Sequence, residues 1–212
     1  MEREVIQSVG FRNTAENGKV TGFQRQTHDW NIIYNQTSES EMERRNTLLS
    51  QMLGTIGENS FIQGPVYLHY GIHTHIGRNV FCNFNLTIQD DAEVMIGDFC
   101  DFGPNVTLVT PLHPMLPDER QMMLDGNGVQ KCLCYAKPIK IGSHCWLGAN
   151  VVVCPGVTIG EGCTIGAVSV VTRDIPAYTF AAGNPCRVIR ELTDADSMRH
   201  KPEILGDCTI IK

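Results

Sequence analysis

Ile141-Gly-Ser-His-Cys-Trp, Leu147-Gly-Ala-Asn-Val-Val, Val153-Cys-Pro-Gly-Val-Thr, Ile159-Gly-Glu-Gly-Cys-Thr and Ile165-Gly-Ala-Val-Ser-Val follow one another without a break. An aliphatic residue opens each unit, and Val171 opens the next. Helices repeat near 3.6 residues and strands at 2, so neither produces a beat of six. A sustained six-residue beat marks a parallel β-helix. The opening residue points inward. The second is usually Gly, which tolerates close backbone approach at a corner. The fifth is small: Cys145, Val151, Val157, Cys163, Ser169. Three units make a triangular coil of 18 residues, and Cys145 and Cys163, 18 apart, stack as reduced packing thiols.

The beat also runs earlier. Ile76, Cys82 and Ile88 keep one register, and Ile96, Phe102 and Leu108 keep another. The two-residue shift between them predicts a bulge near Asp90-Asp91. The beat stops after Leu108 and returns at Ile141, so residues 111–137 leave the coil as a loop. The chain therefore divides into an N-terminal helical and loop cap (1–57), a β-helix with its extruded loop (58–190) and a C-terminal tail (191–212). The fold class is all-β dominated.

Composition narrows the function. The net charge is −6 with no basic block, which argues against a nucleic-acid partner. No run of 18 apolar residues exists, so no membrane span is expected. The start lacks the apolar stretch of a secretory signal. Nine cysteines without framework spacing fit the reducing cytoplasm.

Both raw ends of a solenoid need covers. Ser40-Glu-Met-Glu43 reads as a capping box that starts a helix with Met42, Leu49, Met52 and Leu53 along one face. Leu192–Lys212 is expected to wrap the other end. Residues 1–35 show weak periodicity and read as mixed helix and loop.

A loop extruded from a rigid coil is a natural place for chemistry. This one opens with Thr110-Pro-Leu-His113-Pro114. Flanking prolines stiffen the backbone around His113, whose imidazole can take a proton from an alcohol. A solvent-exposed bystander is the plain alternative.

Further stretches carry a family resemblance. They are Ile76-Gly-Arg-Asn, Asn83-Phe-Asn-Leu-Thr-Ile, Asp90-Asp91, Pro104-Asn-Val-Thr, His113-Pro114, Trp146-Leu-Gly-Ala-Asn, Pro155-Gly-Val-Thr-Ile-Gly and Ala182-Gly-Asn-Pro-Cys-Arg-Val-Ile-Arg-Glu191. With Glu41 to Gly71, the chain resembles the galactoside/maltose O-acetyltransferases, closest to the galactoside branch. The resemblance implies a left-handed β-helix, a homotrimer with active sites between subunits, and acetyl-CoA as donor. It implies His113 as general base, the Ala149 N–H as oxyanion donor, and Asn83 and Asp91 as contacts to a sugar acceptor. It places Trp146, Ala149, Thr172, Arg173, Arg187 and Arg190 along the coenzyme cleft. No metal is expected.

Each residue also has a bland reading: a left-handed corner for Asn83, a turn cap for Asp91, a coil wall for Trp146, solvated charge for the arginines. Two departures bear on the acceptor. The extruded loop, with Met122-Met-Leu and Cys132-Leu-Cys134, is several residues longer than the family pattern. Residues 10–35 lack the family's opening segment, for which Glu16 and Arg25 are candidate stand-ins. An amine or xenobiotic acceptor would use the same base. A rival metal enzyme, resembling γ-class carbonic anhydrases, would draw on His69, His73 and His75, of which His73 and His75 would share a strand face.

Overall fold

In the computed structural model of the chain, residues 6–9, 18–128 and 130–209 are described. Short parallel strands stack into three faces of a triangular β-helix. The first face carries Thr55–Ile56, Thr74–Ile76, Val94–Ile96, Ile139–Ile141 and Thr158–Ile159. The second runs from Phe61–Ile62 to Thr179–Ala182, and the third from Val66–Leu68 to Val170–Val171. Register follows the beat. Ile56, Ile76, Ile96, Ile141 and Ile159 pair in one column, and Leu68, Ile88, Leu108, Val153 and Val171 in another. These inward residues are buried, apart from half-buried Ile56, and build a single core. Burying one such aliphatic side chain is worth about 1.5–3 kcal/mol.

Coil length varies along the axis. Ile76 pairs with Ile96, 20 positions on, whereas Ile141 pairs with Ile159, 18 on. The extra pair of residues falls at the corner that follows the third face. The sequence placed it near Asp90-Asp91, and the preceding coil carries the same widening at Tyr70–His73. Asp90 is buried there and ties the two turns together. Its carboxylate accepts the Tyr70 N–H at 2.8 Å and the Thr74 hydroxyl at 3.0 Å, and its carbonyl oxygen lies 2.6 Å from His73 Nδ1. Gly71 must be glycine: it sits at φ +73, and a Cβ would meet the Met52 carbonyl oxygen at 2.0 Å.

The extruded loop has its own order. Lys137 N–H bonds the Thr110 carbonyl at 3.0 Å and closes its neck. Pro111–Leu112 pairs antiparallel with Tyr135–Ala136, and Met122–Leu124 with residues 130–132. The segment Ile6–Val9 pairs antiparallel with residues 133–136 on the strand Gln130–Ala136.

The ends differ most from the sequence reading. Gly18–Asn35 is one continuous helix, α1, and Met42–Met52 forms α2. Along each strand the N–H and C=O groups point alternately to the next coil and to the previous one, as Phe61 N–H bonds Val80 of the next coil and Val94 N–H bonds His73 of the previous coil. The first coil therefore has carbonyls with no earlier coil to serve them. α1 serves them with side chains at helical spacing. Thr27 donates to the Tyr70 carbonyl at 2.7 Å, Asn31 to Leu68 at 2.8 Å and Asn35 to Val66 at 2.9 Å. Both asparagines also accept, from the N–H of Leu68 at 3.2 Å and of Val66 at 2.8 Å. A polar helical stripe thus replaces a missing strand. Buried Arg45 of α2 completes the seal, donating to the carbonyls of Ile62 at 2.7 Å and Gln63 at 2.8 Å and to the Tyr34 hydroxyl at 2.9 Å. Burial holds the Tyr34 phenol up at about 12.

Three expectations need correcting. The turn before α2 joins Ser38 to Glu41, not Ser40 to Glu43: the Ser38 N–H donates to the Glu41 carboxylate at 2.7 Å, and Glu41 is the N-cap residue. The buried face of α2 is Arg45, Leu48, Leu49 and Met52, while Met42 is exposed. Leu192–Lys212 does not plug the far end, for residues 193–209 are almost wholly exposed and residues 210–212 lie outside the described residues. The plug is the turn before the strand Arg187–Glu191. Buried Cys186 donates its N–H to the Val170 carbonyl at 2.8 Å, and Val170 donates to Gly183 at 3.0 Å.

Replacing Asn31 with Leu keeps the branched outline but strips both bonds from the buried edge at Leu68. A loss of about 1–3 kcal/mol in urea unfolding is expected. Wild-type stability would show that α1 does not seal that edge.

Candidate active site

The widened corner and the extruded loop meet at a cleft of about 630 Å³ lined by His69, Gln89, Asp91, Val109, Pro111, His113, Arg120, Gln121, Met122, Cys132 and Cys134. His113 follows the short strand Pro111–Leu112 and is exposed to the cleft. Asp91 lines the same cleft and is buried. Burial pushes its carboxyl above the usual carboxylate range, against the pull of its own backbone N–H and of His73 and His113. The cleft therefore presents an imidazole and a carboxylate in one lining. The sequence picked out both residues.

Registers locate the others. Gln89 and Val109 occupy equivalent positions at the end of the third face. Thr172 and Arg173 leave that same edge two coils further on, after Val170–Val171, and both are exposed. At about 4.8 Å per coil the step is on the order of 10 Å. Asn83, Trp146 and Ala149 sit elsewhere, at and beyond the end of the second face. Trp146 is outward and 58% exposed, stacked between Asp101 and Thr164, so it does not close the coil wall. The Ala149 N–H has no protein acceptor among the described residues, and its carbonyl accepts from Val168. Asn83 is half-buried, and its side-chain oxygen accepts the Phe84 N–H at 2.8 Å. The left-handed corner residue is Asn85 at φ 61, so corner geometry does not explain Asn83.

Within one chain, then, His113 and Asp91 lie on one edge of the prism, and Asn83, Trp146 and Ala149 on another. The third face separates them. None of the second group lines the cleft. Of the arginines, Arg187 bonds its neighbouring Cys186 carbonyl at 2.8 Å, and neither it nor Arg173 has a carboxylate partner among the described residues. Arg190 does. It grips Asp196 through two bonds of 2.6 and 2.7 Å, which hold the Asp196 carboxyl down at about 2. Its guanidinium braces the C-terminal turn, which a sequence motif alone does not reveal.

Residues 138–173 match the bacterial transferase hexapeptide model of six repeats. The chain is 48% identical to the galactoside O-acetyltransferase of Escherichia coli K12 over 77% of this chain and 76% of that one. It is 44% identical to the galactoside O-acetyltransferase of Lactococcus lactis over 77% and 75%. Among solved structures, a galactoside acetyltransferase in complex with coenzyme A superposes with a TM-score of 0.78 at 41% identity, covering 95% of this chain and 94% of that one. A maltose O-acetyltransferase from Clostridium difficile 630 gives 0.74 at 35% identity, covering 82% and 88%. The chain belongs to the galactoside/maltose O-acetyltransferase family.

Other side chains of this family member fill in the site. The three clustered histidines diverge. His69 turns to Gln24, with the amide nitrogen 3.0 Å from its Nε2. His73 turns to the Asp90 carbonyl, and His75 pairs with Glu93 at 2.8 Å and Thr55 at 3.1 Å. His73 stands just ahead of the strand Thr74–Ile76 and His75 within it, and their rings bond different partners. Cys132 and Cys134 bond separate carbonyls, of Arg120 at 3.6 Å and Leu112 at 3.3 Å. Of the candidate stand-ins, Arg25 is exposed on α1 and Glu16 lies outside the described residues. Sequence reasoning missed Arg120, Gln121 and the place of His69 in the cleft. The register could have shown the last, since His69 stands one position past inward Leu68 as Gln89 does past Ile88.

Cys132 is half-buried on the cleft wall and Cys208 is exposed, whereas Cys82, Cys100, Cys145 and Cys163 are buried. Maleimide labelling mapped by peptide mass should reach Cys208 and Cys132 in the folded protein and the buried four only on unfolding. Early labelling of Cys145 would contradict the packed column of thiols.

Proposed function

We propose that this chain transfers an acetyl group from acetyl-CoA to a hydroxyl of a sugar or glycoside, with His113 as general base. The observation that carries the reading is the cleft itself: an exposed imidazole and a buried carboxylate in one lining, on a coil of this family. Asp91 accepts a hydrogen bond from the sugar and orients it. His113 takes the proton of the attacked hydroxyl as its oxygen adds to the thioester carbonyl. The carbonyl oxygen becomes an oxyanion, which the Ala149 N–H receives. Collapse of the tetrahedral adduct breaks the carbon–sulfur bond. The proton held by His113 then goes to the departing thiolate, so base and proton balance are restored. Holding both substrates in one cleft supplies much of the remaining rate.

The separation of the two edges supports a site completed between protomers of a homotrimer. His113 and Asp91 of one subunit would face Asn83, Trp146 and Ala149 of its neighbour. Arg173 and Arg187, with no acidic partner among the described residues, would meet the coenzyme's phosphates, with Thr172 beside them. Arg190 contributes less, because Asp196 already holds it. No helix among the described residues is long and apolar enough to cross a membrane, and a cytoplasmic enzyme fits nine free cysteines.

His113→Ala should keep assembly and acetyl-CoA binding while turnover falls at least about 10²-fold, read by mass spectrometry of acetylated sugar. Near-normal turnover would sink the mechanism. Arg187→Ala should weaken acetyl-CoA binding by about tenfold in calorimetry, with a far smaller effect from Arg190→Ala. Equal effects at the two positions would count against the Asp196 clamp.

A further inference from the structure

The strand Gln130–Ala136 is the spine of the extruded loop. One of its edges pairs with Pro111–Leu112, the strand that leads directly into His113. Its Cys132 and Cys134, two positions apart, both line the main cleft. Cys134 also donates from its Sγ to the Leu112 carbonyl at 3.3 Å. Whatever fixes this spine therefore fixes the backbone that carries the imidazole.

Its other edge is taken by Ile6–Val9, with Ile6 opposite Ala136 and Ser8 opposite Cys134. Alternation tells which pairs are bonded. The Lys137 N–H donates to the Thr110 carbonyl, so Lys137 and Tyr135 turn their backbone groups toward the strand before His113. Cys134 and Ala136 turn theirs the other way, to Ser8 and Ile6. Both are buried. Without Ile6–Val9 their backbone groups would lose their strand partner, at about 1–3 kcal/mol for each group left unpaired. The same N-terminal region meets the cleft again through α1, whose Gln24 amide nitrogen lies 3.0 Å from Nε2 of cleft-lining His69.

We propose that Ile6–Val9 is a positioning strand for the catalytic base: added to the outer edge of Gln130–Ala136, it holds Pro111–Leu112 in register and so sets where His113 stands in the cleft. This rests on the general-base reading of His113 above. The strand acts through the spine and not on the substrates, so its loss lowers kcat and leaves donor binding intact. Ser8 is the central contact, because its N–H and carbonyl both meet Cys134.

The test sets Ser8→Pro, which removes the N–H offered to Cys134, beside Ser8→Ala, which keeps it. Acetyl-CoA affinity and thermal melting serve as controls for folding. Ser8→Pro should lower kcat for sugar acetylation by about 10–100-fold with the KM for acetyl-CoA held, while Ser8→Ala stays near wild type. Wild-type kcat in Ser8→Pro, or an equal loss in both variants, would overturn the proposal. Ile6→Pro, which removes the N–H facing Ala136, repeats the test should Ser8→Pro fail to fold. Hydrogen exchange reads the same contact without activity. Ser8→Pro should speed exchange at Cys134, Ala136 and Leu112 by about tenfold or more, while Ile139–Ile141 of the prism stays protected. Unchanged protection at Leu112 would reject the positioning role. Should wild type acetylate no sugar, or His113→Ala keep its turnover, the functional reading fails, and the exchange result alone decides whether the strand orders the loop.

Discussion

A parallel solenoid cannot satisfy the first coil with its own kind. Carbonyls of Ile62, Val66, Leu68 and Tyr70 face a side where no earlier coil exists, and a buried backbone group without a partner costs about 1–3 kcal/mol. The chain answers with side chains. Thr27, Asn31 and Asn35 of α1 and Arg45 of α2 take the place of a strand. The asparagines imitate it closely, since each amide both donates and accepts as a backbone unit does.

That seal also shapes the site. Because α1 lies along the third face to reach Leu68 and Val66, it brings Gln24 and His28 to His69. The same corner is widened by two residues in the first coils, and buried Asp90 ties successive turns together there. The widened corner carries Asp91, the loop's antiparallel pairing carries His113, and both line one cleft. Capping, coil geometry and chemistry are thus joined at one edge of the prism.

Much of this was legible in the sequence, for one physical reason. A solenoid repeats one environment, so Ile141, Leu147, Val153, Ile159 and Ile165 announce the core, and the pause between Leu108 and Ile141 announces the loop. What escaped the reading was non-repeating. The α1 stripe is polar, so apolar periodicity cannot find it. The capping turn slid by two residues because Glu41 reaches back to Ser38. The Arg190 clamp went unseen because its partner Asp196 stands in a tail without repeats. His69 was seen only as one of a histidine cluster, since its neighbour Gln24 is 45 positions away.

The central claim is that one chain carries only part of the catalytic apparatus, with His113 and Asp91 on one edge and Ala149 and Trp146 on another. The most direct measurement is a crystal structure of the protein with coenzyme A and a galactoside. The account requires the coenzyme sulfur between two protomers, near His113 of one and the Ala149 N–H of the next, with the sugar against Asp91. A coenzyme bound wholly within one chain, or a sulfur remote from His113, would contradict it.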